Sequence, residues 1–283
     1  MNFRVSSELF YQIEGPATFL FALKCIETQG QHIRSEFLHL DPGMPAYDFT
    51  VGAGMNRFTR IQPSFQGQLQ VRYQADIETT IRLVDAGNLY TDGPGDLTPE
   101  AIAYLFPSRY CQSDRLRKQA LDLFGGFTGP YSLAAGISDW IFEHLAYEIG
   151  ASNEQTSAVD TLEQRAGVCR DFAHLGIALC RSMSLPARYV TCYSHLLNPP
   201  DFHAVFEVFI GGTWYVFDPT RLAPLNGLVR IATGRDAADA AVCTIFGGSV
   251  MNSMQVICNS LDRSFIPITR DTLRQANQAI ALL

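Results

Sequence analysis

The sequence has no apolar run near the roughly 20 residues that a membrane-spanning helix requires. Its opening, MNFRVSSELFYQIEG, alternates polar with apolar residues and so lacks the continuous apolar stretch of a secretory signal. A soluble, cytoplasmic protein with no membrane partner is the expectation. Basic charge is also scarce: 21 Lys and Arg stand against 28 Asp and Glu, a formal charge of -7, and the basic residues are scattered. Phosphate neutralisation needs a concentrated excess of cations, so no nucleic-acid partner is expected. The seven cysteines, at 25, 111, 169, 180, 192, 243 and 258, include no CxxC pair and no zinc-ligand spacing, and their odd number leaves at least one thiol free within the chain. No metal, nucleotide or flavin motif occurs, and neither cofactor nor metal is expected. Internal repeats and low-complexity tracts are absent as well.

What is present reads as two parts. At 283 residues the chain exceeds the size at which one core usually stops growing. Residues 1–88 are strand-like, most clearly where Leu69, Val71, Tyr73, Ala75, Ile77, Thr79, Ile81 and Leu83 alternate with polar neighbours. Further strands are expected near 3–13, 18–26 and 32–40, separated by the turn signals EGP, TQGQ and DPGMP. This predicts an antiparallel, sandwich-like β domain over 1–88, followed by the Gly, Pro and Asp-rich linker DAGNLYTDGPGDLTPE and a second domain over 89–283. There, helices are expected over 113–124 and about 131–147, after Ser157 with Asp160 completing a capping box, and from Cys169 to before Pro186. Strands follow in ARYVTCY, HAVFEVFI, TWYVFD and NSMQVICN, an α+β order.

Most free cysteines are small buried apolar residues. Cys180, deep within its helix, fits that description. Cys169 differs because it opens a helix, where unpaired N–H groups and the helix dipole favour a thiolate over the ordinary thiol of pKa ~8.5. Arg165 and Arg170 stand ready to add to that field. If Gly211-Gly212 forms a two-residue turn, paired residues number 210 with 213, 205 with 218 and 203 with 220. His203 and Asp218 then share a sheet face as diagonal neighbours, roughly 7–8 Å apart and within hydrogen-bonding reach. A four-residue turn keeps this register, and a three-residue turn destroys it. With the helix start packed at that face, Cys169, His203 and Asp218 form a nucleophile, base and orienter.

The segments RAGVCRDFAHLGIALCRSMSLPARYV and DFHAVFEVFIGGTWYVFDPT resemble the transglutaminase-like superfamily, in its bacterial cysteine-protease branch. LTPEAIAYLFPSRYCQSD and VRIATGRDAADAAVCTIFGG resemble the segments flanking that core, and the N-terminal β region resembles the domain preceding it. The resemblance implies a papain-like core of helices packed on an antiparallel sheet, with Cys169 as nucleophile, His203 as base and Asp218 as third member. It also implies acyl transfer through a thioester, on a peptide or protein substrate with an amide or isopeptide bond. Hydrolysis, transamidation of protein glutamine, and use of the fold as a non-catalytic scaffold all remain open at this stage. The backbone N–H of Cys169 is one expected oxyanion donor. Tyr147, resembling a family aromatic upstream of the nucleophile, is a candidate for the second, with core packing as its competing role.

Other residues have plainer readings. Asp171 is expected to stabilise its helix start rather than move a proton. Trp214 either walls a cleft or fills the core, and Glu207 is either a structural hydrogen-bonding group or a reserve orienter. His174 and His195 lack partners at metal-binding spacing. A homodimer is a generic expectation.

Overall fold

Alternation of apolar with polar residues from Asn2 onward makes the first strand, β1 (Asn2–Phe21), bury Phe3, Val5, Leu9, Tyr11 and Ile13 on one face. The computed structural model describes residues 1–51, 56–90 and 93–283, so Thr91 and Asp92 of the expected linker lie outside the described residues. Expected strands near 3–13 and 18–26 are one strand here: the Glu14-Gly15-Pro16 signal produces a bulge, with the register shifting between Ile13 and Ala17, rather than a turn.

β2 (Gln31–Asp41), β3 (Ala46–Val51), β4 (Asn56–Ile61) and β5 (Gly67–Thr79) complete an antiparallel sheet in the order β2-β5-β1-β4-β3. On its polar face, directly opposed pairs are charge-complementary: Arg4 meets Asp76 at 2.7 Å and Glu8 meets Arg72 at 2.6 Å. The long alternating run expected through Leu83 breaks at Thr80. There the chain crosses to a second sheet, Thr80 donating its N–H to Gly30 and accepting from Leu283. β6 (Ile81–Asp85) follows.

The helices are α1 (Pro99–Ile102), α2 (Ser113–Phe124), α3 (Pro130–His144), α4 (Ala158–Gln164) and α5 (Cys169–Ser182). α3 stops three residues before its expected end because Leu145 turns extended. Ala146–Tyr147 (β7) then pairs in parallel with Ala166–Gly167 (β8). The Ser157–Asp160 capping box of α4 is present, Ser157 N–H donating to the carboxylate at 2.9 Å.

β9 (Ala187–Ser194), β10 (His203–Ile210), β11 (Thr213–Phe217) and β12 (Leu228–Gly234) form a four-stranded antiparallel sheet, ordered β11-β10-β9-β12. Gly211 and Gly212, both at positive φ, make the two-residue turn, and Ile210 opposes Thr213 through to Phe206 opposing Phe217.

After the short α6 (Ala237–Ala240), β13 (Cys243–Ser260) returns to the N-terminal sheet and pairs with β1 along its length. The last elements, α7 (Arg270–Ala276) and β14 (Gln278–Leu282), bring β14 against β6. The boundary expected at residue 88 therefore divides layers rather than chain: residues 89–283 do not form a self-contained unit, because β13 belongs to the first sheet. One apolar cluster runs from Phe3, Tyr11 and Tyr73 through Phe172 and Leu179 to Phe206 and Tyr215, joining both parts. Among the described residues, no helix is long and apolar enough to cross a membrane.

Two side-chain amides fasten the layers by copying a strand edge. Gln31 donates to the Arg230 carbonyl and accepts from the Arg230 N–H, both at 2.8 Å. Asn56 does the same for Thr233, at 2.7 and 2.9 Å. β12 is an outer strand of its sheet, so these amides satisfy ladder groups that burial would otherwise leave orphaned. Replacing Gln31, which also donates to the Ile26 carbonyl, with Ala strands that carbonyl and the Arg230 N–H, while the Arg230 carbonyl keeps the Ile26 N–H at 3.2 Å. Urea denaturation of Gln31→Ala should show a loss of about 1–3 kcal/mol, whereas an unchanged midpoint would mean that water replaces the amide freely.

Candidate active site

Cys169 is the first residue of α5, and the two residues that set its position are held by the parallel bridge immediately before it. Ala146 N–H donates to the Arg165 carbonyl and Glu148 N–H to the Gly167 carbonyl, both at 2.9 Å. Asp171 caps the helix, accepting the Val168 N–H at 2.9 Å on one oxygen, which also receives the Ser152 hydroxyl. The other oxygen accepts Arg170 at 2.8 Å, and Arg170 in turn donates to the Asn153 carbonyl at 2.6 Å. Asp171 is fully buried, so this network rather than solvent compensates its charge. It ties the loop after Tyr147 to the helix start and leaves the Cys169 thiol partly exposed, while Cys180 lies in the core with its thiol pushed up by burial.

His203 is the first residue of β10 and almost wholly buried. Its Nε2 lies 2.8 Å from Asp218 Oδ2. The second Asp218 oxygen accepts from Thr220 twice, from the backbone N–H at 2.9 Å and from the hydroxyl at 2.7 Å. Burial opposes charge on His203, but the Asp218 carboxylate, its hydrogen bond and the neighbouring Cys169 thiol outweigh it and push the imidazole up to about 10. Burial opposes charge on Asp218 too, and there His203 and Thr220 prevail, holding the carboxyl below its ordinary range.

The hairpin brings His203 and Asp218 together in the expected register, but α5 packs on the other face of the sheet from the one expected. It covers Ala204, Phe206 and Val208, and a Cβ on Gly176 would stand 2.6 Å from the Phe206 ring. The His203 face instead buries Val205 with Val190, Val216, Ile280 and Leu282 in a second, smaller cluster. Cys169 and His203 meet because each is the first residue of its element, so both lie at the same end of the sheet.

Tyr147 stands beside the helix start, its ring 5.8 Å from Phe172 and its hydroxyl against the Cys169 backbone N–H and thiol. Burial, with the thiol beside it, pushes its phenol well up. It is a cleft residue at 40% exposure rather than a core one. Neither arginine expected to assist the thiol is free to do so: Arg170 is held by Asp171 and Arg165 stacks on Trp140 at 4.9 Å. Glu207 is paired with Arg188 at 2.6 Å and Arg230 at 3.4 Å, a structural role. Trp214 opposes Phe209 near the hairpin turn, away from the His203 end, and lies under Arg188. His195 contacts the Cys258 carbonyl at 3.0 Å, and His174 accepts the Ala237 N–H at 3.1 Å, burial lowering it to about 3. Among the described residues, no group of three His, Cys, Asp or Glu stands together to hold a metal ion.

Sequence reasoning overlooked Thr220 and Ser152. The Asp-Pro-Thr spacing, an Asx-type turn in which a carboxylate bonds two residues on, carried the signal for the first. Ser152 carried none, since it reaches Asp171 only through the fold.

Because the folded imidazole titrates above the unfolded value of about 6.5, the His203–Asp218 contact stabilises the protein fully below that pH and loses its effect as pH rises through about 10. NMR titration of His203 should find the imidazolium persisting well above pH 7. In Asp218→Asn, where only the Cys169 thiol is left to oppose burial, the larger effect, its transition should fall toward or below about 6.5. Unchanged titration would remove Asp218 as the cause.

Comparison with known proteins supplies the remaining context. Residues 117–219 match the transglutaminase-like superfamily core and residues 1–94 match the bacterial transglutaminase N-terminal domain. A solved structure of a candidate cysteine protease from Cytophaga hutchinsonii is 46% identical, covers 100% of this chain and 98% of its own, and superposes with a TM-score of 0.96. An uncharacterised protein of Mycobacterium leprae is 30% identical over 138 residues, 45% of this chain and 49% of that protein. One from Mycobacterium tuberculosis is 31% identical over 161 residues, 52% and 51% of the respective chains, so the chain spans about half the length of these curated relatives. With an N-terminal antiparallel β region ahead of a mixed core, the chain belongs to the transglutaminase-like superfamily.

Proposed function

We propose that this protein is a cysteine-dependent acyl-transfer enzyme that cleaves a peptide-like amide through a thioester. The observation that carries the reading is the buried 2.8 Å contact of His203 Nε2 with Asp218, which leaves Nδ1 as the ring nitrogen available to the Cys169 thiol. Asp218 fixes the tautomer and balances the imidazolium. The Cys169 proton passes to Nδ1 and the sulfur bonds to the carboxamide carbon. The C–N bond then breaks as the imidazolium returns its proton to the departing amine. Water attacks the thioester to release an acid and restore the thiol, or a second amine attacks to form a new amide.

Negative charge develops on the carbonyl oxygen in each step. The Cys169 N–H and the Tyr147 hydroxyl are adjacent donors suited to receive it. The substrate class is a peptide or protein carrying an amide or isopeptide bond. All seven cysteines are free, which suits a reducing compartment, and we place the protein in the cytoplasm. Retention of all three residues argues against a scaffold that has lost its chemistry.

Incubation with a glutaminyl peptide and hydroxylamine should yield hydroxamate in the wild type and none in Cys169→Ala, with correct folding of the variant checked by circular dichroism. Free acid without hydroxamate would favour strict hydrolysis, and neither product across a panel of peptide and isopeptide substrates would sink the enzymatic reading. Tyr147→Phe should lower kcat by about 10- to 1000-fold with little change in KM if its hydroxyl serves the oxyanion.

A further inference from the structure

The N-terminal sheet ends in three outer strands, and they are not alike. β2 carries Arg34, Glu36 and Asp41 together with a bulge, and β3 carries Asp48. Charges and bulges of this kind keep a free ladder from pairing with a foreign strand. β13, CTIFGGSVMNSMQVICNS, has neither a charged residue nor a proline. It pairs with β1 on one side. Among the described residues, no backbone group from Thr244 to Ile257 finds a partner on the other side, and His195 closes the ladder only at the Cys258 carbonyl.

Much of the side-chain surface of β13 is uncovered too, although Val256 and Cys258 are buried. Phe246, Val250 and Met251 are 60%, 51% and 47% exposed, and Ile257 is 47% exposed. From Val250 to Gln255 every residue is exposed, so neither face of the strand there is covered by another layer. An uncharged, apolar, proline-free edge is the pattern that association requires and that isolated proteins avoid.

We propose that β13 is a self-association edge that pairs antiparallel with β13 of a second copy of this chain across a two-fold axis. The straight run from Ser253 to Ile257, beyond the register shift next to Asn252, supplies the ladder, and Val250 and Met251 flank it. Three features favour a second copy over a loose peptide. An isologous contact must be its own complement, and an uncharged strand faces its twin without like-charge opposition, although each copy carries a formal charge of -7. A peptide would fill the ladder yet leave the exposed methionine and valine side chains at a fresh edge, whereas a second sheet continues past them. At about 3.3 Å per residue the five-residue ladder runs about 16 Å, and the exposed side chains of Val250, Met251 and Ile257 widen the seam beyond its backbone bonds.

Sedimentation velocity over a concentration series tests this on the whole chain. The wild type should dimerise, and Met254→Lys with Gln255→Lys, both at exposed positions, should weaken dimerisation at least about 10-fold by placing ammonium groups across the axis. Melting temperature and hydroxamate formation in the variant report its fold. A wild type that stays monomeric at hundreds of micromolar overturns the proposal. So does a dimer that survives in the folded double variant, or a monomeric wild type that binds an alternating Thr-Val peptide in place of its twin.

Discussion

Asp218 and His203 meet inside the protein, each side chain about 1% exposed, and the rest of the site is arranged around that contact. A carboxylate placed so deeply would be costly alone. It is stabilised because all of its hydrogen-bonding capacity is directed inward, to His203 on one oxygen and to the backbone and hydroxyl of Thr220 on the other. The imidazole is thereby fixed in one orientation. The same logic recurs at the start of α5, where buried Asp171 is satisfied by Val168, Ser152 and Arg170. Two buried carboxylates thus set the two sides of the site: one holds the ring and the other holds the turn that presents the thiol.

Local signals carried much of this. Positive φ at Gly211 and Gly212 is what a Gly pair between apolar runs announces, and it fixed the pairing that puts Asp218 near His203. The start of α5 at Cys169 followed from helical spacing of Phe172, Leu175 and Leu179. What the sequence did not disclose is which face of the sheet α5 covers. Both faces of β10 are buried, Ala204, Phe206 and Val208 on one and His203, Val205 and Glu207 on the other, and which of two buried faces meets the helix is not written in the strand itself. The close fit of Phe206 against Gly176 decides it, and that contact joins residues of different elements.

The N-terminal region shows the same limit. The alternation of β1 and β5 was plain, but Glu14-Gly15-Pro16 looked like a turn and is a bulge, and the break at Thr80 occurs inside an unbroken alternating run. Neither is set locally: β13 pairs on both sides of the bulge, and Gly30 and Leu283 hold Thr80. Long-range partners also explain why the two parts pack as one body. The amides of Gln31 and Asn56 supply β12 with the hydrogen bonds of a missing strand, and β13 carries the chain from the core back into the first sheet.

The central claim is that Cys169 is an activated nucleophile and not merely an accessible thiol. Cys243 is also partly exposed and free, and with burial pushing its thiol up to about 12 it gives the rate of a cysteine that no neighbouring base activates. Limited labelling with iodoacetamide near pH 7, followed by peptide mass mapping, measures both rates at once. The account predicts that Cys169 is modified at least about 10-fold faster than Cys243, with the advantage lost in His203→Ala; equal rates at the two cysteines in the wild type would contradict it.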